Sequence, residues 1–397
     1  MLKTRTTSIP LRAGLRLAIV AGIVAAAGLV AGCGSSSSSA GSAAVEKAAT
    51  QKAVNLKAGE AATESSSDIT RFCGAKPFKL GIIDGYGGNA WRVQVRAQIE
   101  KEAKRCPTLK GIEYVDANLD AAKYIGAINS WVTQGVNVIV AYDDFGQAAV
   151  PAFRNAEAQG VKVVTDNAIP GNAEPGKGVT ASVIASADDV ARGWAGFFMS
   201  ALPGGKGNLI MLGGTPGNLL DPYLLSAFKK VLKEPKYSGL HLLQETPAIT
   251  NWSLGETVQV VSGLINKYPT IDGMVMSYTS EIPAIHRAYS AAGKPTPALA
   301  GMASDNEVVC LVNQVKGSKA SFAAYSKDGT GNMAVIALRK GVAALEGVED
   351  PEPTTVNLPV YIDTAKGQIP SCQPKLPPGA DASAALTTAQ LQEVFGK

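Results

Sequence analysis

Two hydrophobic patterns alternate along the chain from residue 78 onward. Short runs of aliphatic and β-branched residues are each followed by a polar turn and then by a longer stretch with the period of an amphipathic helix. The runs predicted as strands are Lys79–Asp84, Ile112–Asp116, Val136–Ala141, Val161–Asp166, Val179–Ile184, Asn208–Leu212, Leu240–Gln244, Gly273–Met276, Leu299–Met302 and Ser321–Ala324. The predicted helices are Ala90–Lys104, Asp120–Gln134, Gln147–Gln159, Asp188–Leu202, Tyr223–Leu232, Leu254–Lys267, Ile282–Ala292, Asn306–Lys316 and Gly331–Leu345.

This alternation predicts an α/β fold in which parallel sheets are covered by helices on both faces. The strand runs are too many for one comfortable open sheet, and the alternation pauses near residue 185. We therefore expect two doubly wound α/β lobes.

Polar side chains follow the predicted strands in both halves of the chain. Ligands of open α/β sheets bind beyond the carboxyl ends of the strands, so these residues are candidate ligand contacts. The alternative is that they form turns and helix caps, as Asp and Asn usually do, and Asp120 is better explained as a cap. The candidates are Tyr86, Asn89, Asp143, Asp166, Asn167, Tyr278 and Asp305.

Tryptophans accompany these polar groups. Trp91 follows Asn89, and Trp252 lies where a helix of the second half begins. A neutral polyhydroxy ligand needs aromatic faces for its C–H surface and amide or carboxylate groups for its hydroxyls. Both side chains could instead belong to the core, which is where we place Trp131 and Trp194.

Motifs for nucleophilic, metal or cofactor chemistry are not found in the sequence. The segment 171–178 nearly spells a phosphate loop, but Gly178 replaces the Ser or Thr that would hold magnesium, and a strand follows instead of a helix. His241 and His286 have no motif neighbours and are interpreted as structural. We therefore predict a protein that is not an enzyme and has neither cofactor nor metal. The alternative is an enzyme that uses the carboxylates at the ends of the predicted strands for acid–base catalysis.

The N-terminus is predicted to be an export signal. Basic residues precede the apolar run Leu17–Ala31, which is shorter than a membrane-spanning helix, although an uncleaved anchor is an alternative. Val30-Ala31-Gly32-Cys33 resembles the lipobox of bacterial lipoproteins, so residues 1–32 are predicted as the signal and Cys33 as the lipidated residue. Residues 33–76 are predicted as a lipidated, flexible tether that holds the protein at the outer face of the cell membrane.

Four cysteines follow Cys33. An exported chain makes disulfides plausible. Cys73 lies just before the first strand and Cys106 ends the helix that follows it, so we favour this pair, and Cys310 with Cys372 then remains by elimination. The alternative is that two or more of them are free and buried.

The charge balance argues against nucleic acid as a partner. The 397 residues include 37 basic and 33 acidic ones, for a net charge of +4, with no basic run. The predicted signal holds four basic and no acidic residues, so the mature chain carries 4 − 4 = 0. Neutrality fits a neutral solute.

Six segments together resemble a known family. They are Gly87-Gly88-Asn89-Ala90-Trp91 and the segments 130–140, 160–167, 248–253, 291–294 and 338–341, within roughly residues 78–363. With the lipobox ahead of them, they resemble bacterial ABC-transporter solute-binding lipoproteins of the ribose/galactose type, the type I periplasmic binding proteins. The resemblance implies two lobes joined by three crossing strands, near Ala185, Ala324–Ser326 and Val356. The first lobe is then 77–185 with 326–355, and the second is 186–325 with 356–397, which includes a C-terminal tail.

The resemblance also implies a function and a ligand site. A monomer would capture a sugar or a polyol between its lobes and deliver it to the membrane subunits of an ABC permease; presentation to a membrane receptor is the alternative. The family's ligand positions fall on Asn89, Trp91, Asp166 and Trp252. The arginines common in sugar binders are replaced here by Asn167 and by Pro222 beside Asp221. Tyr278-Thr279 and Asp305 replace the acidic positions of later turns. The missing arginines imply a ligand other than a common aldopyranose, such as a polyol, a modified sugar or a less polar small molecule.

Overall fold

The computed structural model describes the backbone of Val54–Asn55 and residues 68–381, 383–384 and 386–396. The predicted signal, Cys33 and most of the predicted tether lie outside the described residues. Among the described helices, none is both long and apolar enough to cross a membrane.

The elements follow the predicted alternation closely. The strands are β1 (Val54–Asn55), β2 (Phe78–Asp84), β3 (Leu109–Asp116), β4 (Val138–Tyr142), β5 (Lys162–Asp166), β6 (Glu174–Pro175), β7 (Gly178–Val179), β8 (Ala181–Ala185), β9 (Gly207–Gly213), β10 (Leu240–Leu242), β11 (Ala248–Ile249), β12 (Gly273–Met276), β13 (Ala298–Met302), β14 (Ala324–Lys327), β15 (Thr355–Asn357) and β16 (Val360–Asp363). The α-helices are α1 (Ala90–Ala103), α2 (Ala121–Thr133), α3 (Val150–Ala158), α4 (Ala187–Ala201), α5 (Leu220–Leu232), α6 (Leu254–Lys267), α7 (Ile282–Ala291), α8 (Asn306–Val315), α9 (Asn332–Glu346) and α10 (Thr388–Phe395).

Two large sheets form the framework. The first has the order β1-β15-β8-β5-β4-β2-β3 and is parallel throughout. The second has the order β10-β9-β12-β13-β14-β16, with β11 also paired to β9, and is parallel except for β14 against β16. We call the first sheet with α1, α2, α3 and α9 the first lobe, and the second sheet with α4 to α8 the second lobe. The predicted α/β fold with two parallel-sheet lobes is confirmed.

The chain crosses between the sheets three times. It passes to the second sheet after Ala185, returns after Lys327 and passes over again after Asn357. The last two crossings lie two residues later than the sequence suggests. Ser326 and Lys327 are polar yet buried, so hydropathy does not predict them as part of a strand. Lys327 Nζ lies 2.6 Å from Asp189 Oδ2, and this ion pair compensates the buried charge of the lysine.

Side-chain caps fix the helix starts. Asn89 Oδ1 accepts a hydrogen bond from the backbone N–H of Arg92 at 3.0 Å, and Asp305 Oδ1 accepts one from that of Val308 at 3.0 Å. Asp120 caps α2 in the same way, as predicted. Each cap satisfies a backbone donor that the helix leaves open and so sets where the helix begins.

The cores and disulfides agree with the sequence analysis. Trp131 packs against Gly81, and Trp194 meets Phe228 edge to face with ring centroids 5.6 Å apart. Cys73 is bonded to Cys106 and Cys310 to Cys372, which are the favoured pairs. The segment 171–178 includes β6, the turn after it and the start of β7, and so is a turn rather than a phosphate loop.

A buried arginine holds α9 to α1. Arg339 Nε lies 2.7 Å from Glu102 Oε1, and its Nη1 lies 3.0 Å from Glu352 Oε1. All three side chains are almost fully buried, so removing the cation leaves Glu352 buried without its ion-pair partner and leaves Glu102 paired with Arg105 alone.

We predict that Arg339→Ala lowers the free energy of unfolding in urea by about 3 kcal/mol, the usual cost of breaking a buried ion pair. The control is Arg192→Ala, whose pairs with Asp188 and Glu234 are exposed; it should cost less than about 1 kcal/mol. Equal losses in the two variants would contradict the structural role of Arg339.

Candidate functional site

A cavity lies between the lobes at the carboxyl ends of their strands. The first lobe contributes the start of α1, the end of β4 and the loop after β5, and the second lobe contributes four loop or helix-start segments. This is where open α/β sheets bind ligands. The lining residues are Asn89, Trp91, Arg92, Tyr142, Asn167, Leu220, Trp252, Ser277, Tyr278 and Ala303.

Strained backbone marks three of these positions. Asn167, Trp252 and Ala303 have φ angles of 45°, 50° and 60°, in the left-handed region that non-glycine residues rarely adopt. Each follows or adjoins the end of a strand, where the chain must turn sharply. Such strain costs about 1 kcal/mol or more and clusters at functional sites, which supports this cavity as the site.

Four aromatic side chains line the cavity, and three of them contact one another through Tyr142. Tyr142 meets Trp91 and Trp252 edge to face, with ring centroids 5.5 and 6.4 Å apart. The indole N–H of Trp91 donates to Thr330 Oγ1 at 2.7 Å, and that of Trp252 donates to Ser277 Oγ at 3.0 Å. Because both indole N–H groups have partners, the two indole rings offer the cavity mainly apolar surface.

Arg92 is the charged group of the cavity lining. Its guanidinium carbon lies 3.3 Å above the Tyr142 ring centroid; Nη1 donates to Asp84 Oδ1 at 2.9 Å and Nη2 to Asp144 Oδ1 at 3.0 Å. Burial opposes the charge, but Asp144, Tyr142 and Asp84 outweigh it, so the pKa of Arg92 lies above its ordinary value. The cavity therefore has a permanently charged, fixed hydrogen-bond donor.

The Asp144 carboxylate also reaches the second lobe. Its Oδ1 accepts hydrogen bonds from Asn218 Nδ2 at 3.0 Å and from Thr215 Oγ1 at 3.3 Å. All of these groups are buried. The chain from Arg92 through Asp144 to Asn218 therefore connects the lobes beside the cavity.

Acceptor atoms near the cavity have no partner among the described residues. They include Asn167 Oδ1 and Asp166 Oδ2, at the carboxyl end of β5. Burial, with a smaller contribution from Asp84, raises the pKa of Asp166 to about 8. Burial raises the pKa of Asp221 to about 6. Buried polar atoms normally have partners, so the free acceptor on the lining, Asn167 Oδ1, suits a ligand with hydrogen-bond donors.

The structure brings together half of the residues that the sequence predicts as ligand contacts. Asn89, Trp91, Asn167, Trp252 and Tyr278 line the cavity.

The other five predicted contacts lie outside the lining. Asp143 accepts from two backbone amides of its own turn, Asp305 caps α8, and Asp221 accepts from the amide of Gly214. Asp166 lies beside Asn167, and Tyr86 packs against Gly88. Their contact with ligand remains a prediction.

The predicted ligand contacts do not include Arg92, Tyr142, Leu220 and Ala303, nor Ser277, although Ser277 directly follows the predicted strand Gly273–Met276. Arg92 offers one signal: a cation in the first turn of a helix is disfavoured by the helix dipole, so its presence needs a reason. Leu220 and Ala303 have no chemical signature in the sequence. Within the described residues, no group of three or more His, Cys, Asp or Glu side chains is placed to hold a metal ion.

Comparison with known proteins identifies the family. The model of the periplasmic binding protein domain matches residues 80–345. The chain belongs to the periplasmic binding protein family. Membership confirms the resemblance and identifies this family member as an extracytoplasmic binding protein and not an enzyme.

Two curated relatives match part of this periplasmic binding protein. The xylitol-binding protein of Mycolicibacterium smegmatis is 28% identical over 167 residues, which cover 40% of this chain and 43% of the relative. The ribose import binding protein of Bacillus subtilis is 31% identical over 145 residues, which cover 36% of this chain and 44% of the relative. The matches thus span less than half of each relative.

Solved structures share the fold over a longer range. An ABC transporter solute-binding protein from Thermobispora bispora has a TM-score of 0.62 at 21% identity and covers 80% of this chain and 94% of its own. An ABC transporter solute-binding protein from Mycobacterium smegmatis with bound glycerol has a TM-score of 0.62 at 16% identity. The match covers 74% of this chain and 98% of that protein.

The raised pKa of Asp166 predicts a pH effect on stability. Between the ordinary value of 3.8 and about 8, the unfolded chain loses this proton while the folded protein keeps it. The free energy of unfolding should therefore fall as the pH rises through this window and level off above it.

We expect Asp166→Asn to remove this contribution. One pKa unit is worth about 1.4 kcal/mol, so between pH 5 and pH 8 the wild-type protein should lose at least about 2 kcal/mol relative to the variant. The measurement is urea unfolding at both pH values. Parallel pH profiles for the two proteins would contradict the assignment.

Proposed function

We propose that this periplasmic binding protein captures a small, neutral polyhydroxy solute between its lobes and delivers it to an ABC permease. The carrying observation is the cavity itself, where three aromatic rings surround a paired arginine and an unpartnered amide oxygen. Aromatic faces cover the C–H surface of a sugar or polyol, while the guanidinium donates to its hydroxyls and Asn167 accepts from them.

The electrostatics of the lining favour a neutral ligand. Arg92 is already hydrogen-bonded to Asp84 and Asp144, so it is not an unpaired cation that would bind an anionic solute. The same two carboxylates are occupied and are absent from the lining, so they do not offer a site for a cation. A hydroxyl group can both donate and accept, which matches the mixed groups that remain.

The shape of the cavity wall favours a small ligand. The rings meet edge to face and offer no parallel pair to sandwich a flat pyranose. A polyol or pentose of about five carbons suits this shape, and the named relatives, a xylitol-binding and a ribose import protein, support that class.

The sequence supports attachment to the outer face of the cell membrane. The lipobox-like segment ending at Cys33 precedes a long tether, so a lipid on Cys33 would hold the lobes near a permease. Solved structures similar to this chain, described as ABC transporter solute-binding proteins with bound L-rhamnose or myo-inositol, support the link to import.

The proposal is tested by calorimetry and thermal unfolding of the full-length protein in detergent micelles. Xylitol, ribitol, ribose and glycerol form the test panel, and glucuronate and glucosamine are the charged controls. A neutral solute at 100 times its Kd should stabilise the fold by about 2.7 kcal/mol. Binding of charged controls alone, or of none of the panel, would contradict the proposal.

Gly214→Ala tests the role of Trp252 without removing the indole. A Cβ at position 214 would overlap the indole ring and displace it from the cavity wall. We expect the affinity for the best solute to fall at least about tenfold, or 1.4 kcal/mol, while unfolding stays cooperative.

The matched control is Gly263→Ala in α6, where an added Cβ meets no atom within 4 Å. It should keep the wild-type affinity. Unchanged affinity in Gly214→Ala would show that Trp252 does not contact the solute.

A further inference from the structure

The C-terminal segment leaves the second lobe and ends on the first. We call residues 370–396, as far as they are described, the tail strap. It follows β16 of the second sheet, and Cys372 bonds it to Cys310 of α8. Its last element, α10, packs on α1 of the first lobe.

The strap is built into the start of α8. The backbone N–H groups of Asn306 and Glu307 donate to the carbonyls of Ala380 and Pro378, both at 2.8 Å. The Asn306 side chain donates to the Gln373 carbonyl at 2.9 Å and accepts from the Gln373 amide at 3.1 Å. The first donors of a helix need such partners, so the strap is an integral part of this lobe.

The strap is equally specific on the first lobe. Gln94 of α1 is 2% exposed; its Oε1 accepts from the Asp381 amide at 3.0 Å, and its Nε2 donates to the Asp381 carbonyl at 3.3 Å. Lys101 Nζ donates to Gln390 Oε1 at 3.1 Å. Apolar contacts complete the attachment, from Leu376, Ala380, Leu386 and Leu391 with Ala97 of α1.

Both attachment points adjoin the cavity. Helix α1 begins with residues of the cavity lining, including Trp91, and α8 begins three residues after Ala303. Between them, Gly379 lies so close to Ala90 that a Cβ on Gly379 would be 2.6 Å from the Ala90 Cβ. The strap therefore spans the cleft, and the lobes cannot separate there without breaking its contacts with α1.

We propose that the tail strap is a further connection between the two lobes, besides the Arg92–Asp144–Asn218 chain, and sets how fast solute enters and leaves the cavity. The first part concerns this chain alone, whereas the second rests on the proposed function. Because the Cys310–Cys372 disulfide fixes the strap to the second lobe, release occurs at the α1 end. Opening then requires loss of the Gln94–Asp381 pair and of the apolar contacts around Leu391.

The first experiment needs no solute. Spin labels at Lys123→Cys in α2 and Lys230→Cys in α5 report the distance between the lobes by pulsed electron resonance on the full-length protein. Leu391→Asp places a charge in the buried contact with α1, and Ala389→Asp places the same charge on the exposed side of α10. We expect longer, broader distances for Leu391→Asp, and the wild-type distribution for Ala389→Asp.

Gln94→Ala provides a second route to release and leaves the apolar contacts intact. It should also lengthen the distances, by less than Leu391→Asp, while thermal unfolding stays cooperative. Wild-type distances in both Leu391→Asp and Gln94→Ala would overturn the proposal.

The second experiment follows the fluorescence of the cavity tryptophans during stopped-flow release of xylitol. Release should be at least about fivefold faster in Leu391→Asp than in Ala389→Asp. Equal release rates would overturn the kinetic part of the proposal. If xylitol does not bind, the distance measurement still decides whether the strap joins the lobes, so the failure of the proposed function is recognised separately.

Discussion

The candidate site depends on the pairing of one buried cation. A guanidinium taken out of water costs several kcal/mol unless its partners are well placed. The contacts of Arg92 with Asp84, Asp144 and the face of Tyr142 offset this cost. Asp144 also accepts from Asn218 across the cleft, so the arrangement that fixes the guanidinium also joins the lobes. The polarity of the cavity and the approach of the lobes thus have a common cause.

The ligand class follows from this pairing. An unpaired arginine would attract anions and an unpaired carboxylate would attract cations, but here the guanidinium is hydrogen-bonded to both carboxylates beside the cavity. What remains on the lining is directional hydrogen bonding and aromatic surface. The strained backbone at Asn167 and Trp252 supports this view, since strain persists where the surrounding structure holds a functional side chain in place.

Local patterns predicted the fold better than the site. Strand β12 and helix α6 were predicted to the residue because their hydrophobic period and their ends are written in the sequence. The Cys73–Cys106 disulfide followed from position along the predicted elements, and Cys310–Cys372 followed by elimination.

Buried polar groups are the reason why the other features of the structure could not be predicted from the sequence. Hydropathy assigns Arg92 and Lys327 to solvent, because the partners that bury them lie far away in sequence or in another element. The tail strap was not predicted from the sequence for the same reason, because α10 is short and its buried face is defined only by its contact with α1.

The most direct test is a crystal structure of the protein with the neutral solute that binds it most tightly. We expect the solute in the cavity between the lobes, with its carbon chain against Trp91 and Trp252. Its hydroxyls should lie within hydrogen-bond distance of the Arg92 guanidinium and Asn167 Oδ1. A solute bound elsewhere, or one in the cavity without contact to Arg92, would contradict this assignment of the binding site.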